Sequence, residues 1–352
     1  MGKKYYINLL LSLMTAFVIG AIIIITMGFN PIEGYIQLFK GAFKGNFNLG
    51  GTLQIFVPLM LTALAFAVSS KVGIFNIGVE GEVYLGAIAA AWIGASLVGL
   101  PKIVHIPLTL GFSAIVGALW AFIPGYLKSY FNVNEVTATI LLNYVAIYIT
   151  NYLVNGALSS QSLVAKTKDI ENSAKLSTIL KPSKSNTGLF IAIGVLLFIY
   201  WLMFYTTVGY KLRSVGANRK FSEYIGIKEK QIMVIGMMIS GAIGGLAGGI
   251  ETTGVYGYFL GNFSVGIGFD GMLISLIARN NIKLVPFIAF FVASLKSGAL
   301  GMERFTGIPK SLIDIIISIF IILVSMEGLY SGVKLKKKSV KVENSKEDSI
   351  NA

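Results

Sequence analysis

Cysteine is absent from this sequence, histidine occurs once, and charged residues make up only 13% of the 352 residues. The absence of cysteine excludes disulfides and thiol chemistry. The single histidine, His105, cannot supply the three or four ligands of a usual metal site, so we expect no metal and interpret it as an interfacial residue in a short turn. The chain also lacks a P-loop pattern and any catalytic constellation, so we expect no catalytic residue and no cofactor bound by this chain itself.

The shortage of charge has a second consequence. Soluble domains carry about 25% charged residues, whereas this chain is 55% hydrophobic and contains long apolar runs. A bilayer core takes roughly 20 helical residues to cross, and the short alternating segments of a transmembrane β-barrel are missing. The pattern predicts an all-α integral membrane protein. The net charge of +13 lies mostly between apolar runs, which is typical of membrane orientation rather than of nucleic-acid binding.

The apolar runs predict about ten transmembrane helices. A retained first helix follows Lys3 and Lys4, residues 29–51 form an outer loop, and both termini lie in the cytoplasm. The transmembrane domain spans residues 1–332, with halves at about 1–155 and 188–332 joined by the outer loop 156–187. A polar cytoplasmic tail covers residues 333–352. The predicted spans lie at about 7–28, 52–70, 83–100, 108–127, 136–155, 188–207, 232–250, 284–300 and 311–326, with a short eighth span that follows a break at 251–268 and ends at 279–281. Lys296 lies within the ninth span.

Two short stretches share the pattern Ile-Gly-apolar-acid-Gly: residues 77–81, which contain Glu80, and residues 267–271, which contain Asp270. We name residues 75–82 signature 1 and residues 267–271 signature 2. Each lies between the second and third span of its half, as a five-plus-five inverted repeat predicts. Interrupted helices at matching positions of two halves indicate a binding site near the middle of the membrane.

The polar residues of the signatures admit two interpretations. Asn76, Glu80 and Asp270 could line a transport path, since glycines permit a broken helix inside a membrane. Alternatively, Glu80 or Glu82 could cap the start of the third span at the inner surface, where a carboxylate favours a helix N-terminus. Both interpretations remain open for Asp270 as well. The second signature also matches G-x-G-x-x-G, but it lacks the strand and βαβ unit of a dinucleotide site.

Two further patterns stand out. Gly241, Gly245 and Gly249 recur four apart, which predicts close helix packing. The basic stretch 209–227 predicts a cytoplasmic amphipathic helix with Ala217, Phe221, Tyr224 and Ile225 on one face, ended by a glycine. A defined apolar face is more than membrane topology requires, so we interpret this stretch as a docking element. Its candidate residues are Arg213, Gly216, Asn218, Arg219, Glu223 and Gly226.

These motifs resemble a known family. "Val-Gly-Ala-Asn-x-x-x-x-x-Tyr-x-Gly-Ile" is similar to the coupling loop of ABC-importer permeases of the branched-chain amino acid and monosaccharide class. "Gly-Ile-Phe-Asn-Ile-Gly-Val-Glu-Gly-Glu" and "Gly-x-Gly-Phe-Asp-Gly-Met-x-x-x-Leu-x-Ala-Arg-Asn-Asn" resemble its nucleoside-type branch. The resemblance covers most of residues 50–328. Glu82 is a departure, because the family often has Gln at that position.

The resemblance implies a bacterial plasma-membrane permease that moves nucleosides inward by alternating access. Its partners would be ABC ATPase subunits that hold ATP and Mg²⁺, a second identical or homologous permease subunit, and an extracytoplasmic solute-binding lipoprotein. Asn76, Glu80 and Asp270 would lie on or near the path. Aromatic residues could stack on a nucleobase, which contributes about 1–3 kcal/mol per base. The candidates for stacking are Phe75, Phe269, Tyr256 and Tyr258.

Two other functions fit the same residues. The solute of an ABC permease of this class could be a sugar or a branched-chain amino acid. A secondary transporter with five-plus-five repeats could instead use Glu80 and Asp270 to bind a coupling ion. The docking element separates the two classes, because a secondary transporter needs no ATPase contact.

Overall fold

A computed structural model describes residues 3–324, and the side chains of residues 7–324. The polar tail predicted at 333–352 lies outside the described residues. Within them the secondary structure is helical, with three isolated β-bridges. The helices are α1 Lys3–Thr26, α2 Pro31–Phe43, α3 Gly45–Lys71, α4 Val79–Ser96, α5 Lys102–Phe131, α6 Glu135–Asn155, α7 Gly188–Tyr205, α8 Thr207–Ala217, α9 Arg219–Tyr224, α10 Glu229–Glu251, α11 Ile267–Ile277, α12 Val285–Thr306 and α13 Ser311–Val324.

Seven helices in the described part of the chain are long and apolar enough to cross a membrane. They are α1 from Ile7, α3, α5, α6, α7, α10 with its extension to Tyr256, and α12. The predicted third, eighth and tenth spans correspond to α4, α11 and α13. Of these, α4 carries two carboxylates in its first turn, and the other two are shorter than a full crossing. The all-helical membrane fold is therefore confirmed, while the ten-span count and the inverted repeat stay predictions.

The prediction of an outer loop over residues 29–51 is wrong. Helix α2 occupies Pro31–Phe43, and α3 begins at Gly45. The Asn30 side-chain oxygen accepts hydrogen bonds from the backbone N–H groups of Ile32 (3.0 Å) and Glu33 (3.4 Å). An Asn cap followed by Pro at the first helical position is a strong helix start. The glycines of this stretch led to the prediction of a loop despite these two helix-start residues.

The short turn predicted around His105 is also wrong. Helix α5 begins at Lys102, and His105 is fully buried in its first turns. Its Nδ1 lies 2.8 Å from the Ser173 hydroxyl. His105 therefore anchors the 156–187 segment to α5 rather than facing a membrane interface.

The described residues form two compact units, residues 3–38 with 299–324, and Phe39–Gly298. In the first unit, the Tyr35 hydroxyl donates to the Phe17 carbonyl at 2.6 Å, which ties α2 to α1. In the second unit, α3, α4 and α10 are mostly buried, while α5, α6 and α7 expose most of their surface. This exposure is what a lipid-facing outer layer requires.

Glycines bring α10 against its neighbours. A Cβ at Gly241 would lie 2.3 Å from the Gly117 carbonyl oxygen, and one at Gly245 would lie 2.3 Å from the Ser113 oxygen. A Cβ at Gly249 would lie 2.5 Å from the Ser113 hydroxyl. These three glycines therefore face α5, two of them against its backbone and Gly249 against the Ser113 side chain.

Residues 156–187, predicted as an outer loop without strong pattern, are folded against the segment that precedes α11. The backbone N–H of Thr167 donates to Phe259 at 3.0 Å, and the N–H of Ile170 donates to Gly257 at 2.9 Å. A 3₁₀ turn at Asn172–Ala174 follows. This long connection is a structured strap, because its backbone groups are paired with another segment rather than left to solvent.

Candidate functional site

Signature 1 folds back between the helices instead of staying at the end of α3. After Lys71, Gly73 adopts a left-handed conformation at φ 83°. The Asn76 side-chain nitrogen then donates to the Ser240 hydroxyl at 2.9 Å, and Ser240 donates to the Ala65 carbonyl at 2.8 Å. Ser240 lies about 16 Å along α10 from Glu229. Signature 1 is therefore held well inside the helical layer.

A buried hydrogen-bond network holds signature 1 in this position. Asn76 also donates to Glu82 Oε1 at 2.8 Å and accepts from the backbone N–H of Gly78 at 3.0 Å. Asn143 of α6 accepts from the N–H of Gly81 at 2.8 Å and donates to the Ile77 carbonyl at 2.9 Å. The backbone groups left open by the broken helix are thus satisfied by side-chain amides. Asn143 was missed because nothing local in the sequence sets it apart from other polar residues in a span.

Glu80 joins the two signatures. One carboxylate oxygen, Oε1, accepts from the Ser264 hydroxyl at 2.5 Å and from the N–H of Gly266 at 3.3 Å. The other, Oε2, accepts from the N–H of Gly268 at 2.6 Å. Glu80 is only 3% exposed. It therefore caps the N-terminus of α11, a helix far away in the sequence, and not the start of α4, which was one of the two predicted positions.

The glycines of signature 2 permit this contact. A Cβ at Gly268 would lie 2.4 Å from the backbone nitrogen of Glu80, and one at Gly271 would lie 2.2 Å from the Thr62 hydroxyl oxygen. Thr62 donates to the Ile267 carbonyl at 3.2 Å. Helix α11 therefore begins at backbone distance from both α3 and α4, which no residue with a side chain allows.

Asp270 occupies a more open position. Its Oδ2 lies 2.6 Å from Nζ of Lys296 in α12, and each side chain is about a quarter exposed, 24% and 25% respectively. The sequence placed Lys296 inside an apolar span but assigned it no role. A lone lysine in such a span was the available signal, because ionisable residues inside membranes mark functional positions.

The candidate stacking residues differ in their surroundings. Phe75 is partly buried and packs edge-to-face on Phe66, with ring centroids 4.8 Å apart. Phe269 is 39% exposed. Tyr256 packs against Phe263 at 5.8 Å, and the Tyr258 ring lies 4.6 Å from Nζ of Lys166. Phe269 therefore offers the most open ring beside the signatures.

The docking element consists of two short helices, α8 and α9, rather than one. The Asn218 side chain separates them and accepts from the N–H of Phe221 at 3.0 Å, as an N-cap does. Gly226, at φ 84°, ends the element in a left-handed conformation. The predicted apolar face is exposed to solvent, with Phe221 at 59% and Tyr224 at 91%.

Other residues of the element attach it to the rest of the unit. Arg219 lies 3.5 Å from the Glu229 carboxylate and 3.4 Å from the Ser129 carbonyl. The Arg213 guanidinium lies over the Phe204 ring at 5.2 Å, and the Glu223 side chain is exposed.

Gly216 provides the tightest of these attachments. A Cβ at this position would lie 2.0 Å from the Lys71 carbonyl oxygen. The docking element therefore packs on the end of α3, immediately before the chain turns into signature 1.

No group of three or more potential metal ligands occurs among the residues that the structure describes. The site is instead a junction of two interrupted helices, held by Glu80, Asn76 and Asn143. One ion pair faces open space beside this junction. The ion pair can bind polar groups. Because the junction is built from the ends of helices, a movement of either helix would change its shape.

The sequence was compared with known proteins. Residues 48–325 match a family described as the permease component of the branched-chain amino acid transport system. The chain is 36% identical to the guanosine ABC transporter permease protein NupP of Bacillus subtilis (strain 168), over 94% of this chain and 96% of that protein. It is 34% identical to the nucleoside ABC transporter permease protein NupB of Lactococcus lactis subsp. cremoris (strain MG1363), over 94% of each. The glucose ABC transporter permease protein TsgB13 of Haloferax volcanii is 29% identical, over 89% of this chain and 85% of that protein.

Proposed function

This chain belongs to the permease-component family of the branched-chain amino acid transport system, and on that premise we propose that it is the permease subunit of an ABC importer for nucleosides. The assignment of the solute class rests on the similarity of this chain, over nearly its whole length, to two permeases named for guanosine or nucleosides. The similarity to a glucose permease is weaker. A sugar therefore stands as the second candidate solute.

The proposed solute path passes the start of α11. Phe269 and Asp270 are partly exposed there and would contact the solute, with the Phe269 ring available for stacking on a base. Phe75 would contribute from the facing signature. Asn76 and Glu80, which are buried and hydrogen-bonded within the protein, would act by holding the two broken helices in place.

The proposed energy source is a separate ATPase that binds ATP and Mg²⁺. The exposed rings of Phe221 and Tyr224 form an apolar surface suited to a partner protein. The close packing of Gly216 on the end of α3 supports transmission of movement from that surface to signature 1. We further propose a second permease subunit, a solute-binding lipoprotein outside the cell, a bacterial plasma membrane, and both termini in the cytoplasm.

Transport in proteoliposomes tests the function. The permease, its ATPase and its binding protein would be reconstituted, and uptake of radiolabelled guanosine and glucose would be measured with and without internal ATP. Guanosine uptake that requires ATP is the expected result. Uptake that persists without ATP and follows an ion gradient would contradict the ABC mechanism, and ATP-dependent uptake of glucose alone would contradict the nucleoside assignment.

Co-purification tests the docking surface. Tyr224→Ala removes a ring that is 91% exposed, whereas Tyr148→Ala removes one that is 70% exposed on α6, a candidate membrane span. We expect the first change to reduce the amount of ATPase recovered with the permease severalfold and the second to leave it unchanged. Equal recovery from both variants would remove α9 from the ATPase contact.

A further inference from the structure

The N-terminus of α11 is already occupied by the carboxyl group of Glu80. Unpaired N–H groups at a helix N-terminus attract anions, and transporters use such ends of broken helices to bind anionic solute groups. Here the Glu80 carboxylate accepts from the N–H groups of Gly266 and Gly268 and is nearly fully buried. A carboxylate or phosphate on a solute would have to displace Glu80 to use these donors.

An ion pair lies beside the junction. Asp270, in the first turn of α11, contacts Lys296 at 2.6 Å. Within residues 292–297 of α12, every position except Lys296 is buried. The open space at Lys296 and Asp270 is therefore local. Water is the expected content of that space, since a charge facing hydrocarbon costs several kcal/mol.

We propose that Lys296 is a specificity-determining residue of the solute path, because it offsets the charge of Asp270 where α11 begins. With Glu80 filling the helix end and Lys296 offsetting Asp270, the path at this level is polar without favouring ions of either sign. It therefore accepts neutral solutes that carry hydroxyl and ring-nitrogen groups, and it disfavours both anions and cations. This inference rests on the proposed nucleoside function and names the physical basis of its selectivity.

The pair also supplies suitable binding groups. The Asp270 carboxylate accepts hydrogen bonds, and the Lys296 ammonium donates them. A neutral sugar hydroxyl can do both, so it can bind between the two groups without requiring either charge to be removed. A charged solute would leave one of the two groups facing a like charge.

The absence of cysteine from the sequence makes a direct test simple. Phe269→Cys would place one thiol beside Asp270, and Val98→Cys would place one in the turn between α4 and α5, where the side chain is 72% exposed, as the control. In proteoliposomes containing the assembled transporter, the labelling rates of each thiol would be measured with a cationic and an anionic methanethiosulfonate reagent. The ratio of the two rates reports the local electrostatic potential.

In the parent, we expect the rate ratio at position 269 to lie within about threefold of the ratio at position 98. Adding Asp270→Asn leaves Lys296 without this carboxylate and should shift the ratio on the order of tenfold towards the anionic reagent. Adding Lys296→Met should shift it by a similar factor towards the cationic reagent. The double change Asp270→Asn with Lys296→Met should restore the parent ratio, and none of the three should alter the ratio at position 98.

Each other outcome overturns the proposal. A thiol at position 269 that neither reagent labels means that the junction is not open to water. A parent ratio skewed tenfold or more means that the charges are not offset, and this measurement needs neither Asp270 nor Lys296 to be changed. If neither substitution changes the rate ratio at position 269, the pair does not set the electrostatic potential of the path. Failure of the nucleoside function is recognised separately, by the absence of guanosine uptake in the unmodified transporter.

Discussion

Signature 1 and signature 2 share a sequence pattern but differ in their environment. The acid of the first, Glu80, is 3% exposed and bonded to the backbone of the second. The acid of the second, Asp270, is about a quarter exposed and paired with a lysine on another helix. One carboxylate is part of the framework, and the other faces open space.

This difference shows that a repeated motif need not repeat a role. The glycines of signature 2 allow its backbone to approach Glu80, and the carboxylate of signature 1 satisfies the N–H groups exposed by that approach. The two stretches are therefore complementary parts of one junction. Their similarity identifies where the junction lies, and their contacts decide which acid is partly exposed to a solute.

The largest effect is expected from breaking the junction itself. Gly268→Ala would place a Cβ 2.4 Å from the backbone nitrogen of Glu80, an atom that cannot move aside. We expect a loss of stability of about 4 kcal/mol, above the usual range for overpacking because backbone is involved. The thermal unfolding of detergent-solubilised protein measures it. Gly194→Ala, at a helical glycine with no atom within 4 Å of the added Cβ, is the control, and equal melting of the two variants would refute the close contact.

The two acids should respond differently to the same substitution. Glu80→Ala leaves two buried donors and one partly buried donor without their acceptor and should cost about 3 kcal/mol of stability. Asp270→Ala leaves a partly exposed Lys296 without this partner and should cost about 1 kcal/mol. Thermal unfolding and nucleoside uptake would be measured on both. Asp270→Ala is expected to lose uptake while remaining folded, and equal destabilisation by the two changes would contradict the division of roles.

The amide that supports signature 1 gives an intermediate effect. Asn143→Ala removes one buried and one partly buried hydrogen bond to the backbone of signature 1 and should cost about 2 kcal/mol. Asn151→Ala, on the same helix, removes an exposed bond to Asn262 and should cost less than about 0.5 kcal/mol. The unfolding temperatures of the two variants measure this difference. No difference would mean that signature 1 holds its shape without α6.

The smallest effect is expected at Arg219. Its contact with Glu229 is long, and its side chain is more than a third exposed, so Arg219→Ala should cost no more than about 0.5 kcal/mol. A salt titration of the unfolding temperature checks this, since an exposed ion pair weakens as ionic strength rises. A loss of several kcal/mol would show that Arg219 anchors the docking element as firmly as Glu80 anchors the junction.

Sequence patterns predicted the junction only in part. Glycines beside single acids in apolar surroundings indicated broken helices and named Asn76, Glu80 and Asp270. These patterns left two alternatives for Glu80: it could line the transport path or cap the start of the third span. The structure shows a third arrangement, a cap on a different helix, because the partner N–H groups lie far away in the sequence. Local patterns carry no information on such long-range contacts.

The errors have similar causes. Helix α2 was missed because its glycines outweighed a cap and a proline in the interpretation, although both were visible in the sequence. His105 was misplaced because its partner, Ser173, belongs to a long segment with no periodic pattern. Lys296 was noticed but left without a role, since its partner Asp270 lies on another helix.

Composition and hydrophobic run length by themselves determined that this is a helical membrane protein, because backbone groups in lipid must be bonded within each segment. The docking element and the two signatures were also legible in the sequence, since they interrupt long apolar runs. The tertiary structure alone decided that Glu80 is buried at the start of α11 and that Asp270 faces Lys296. Which carboxylate caps a helix and which pairs with a lysine at a partly exposed position depends on how distant helices pack, and no single stretch of sequence encodes that distance.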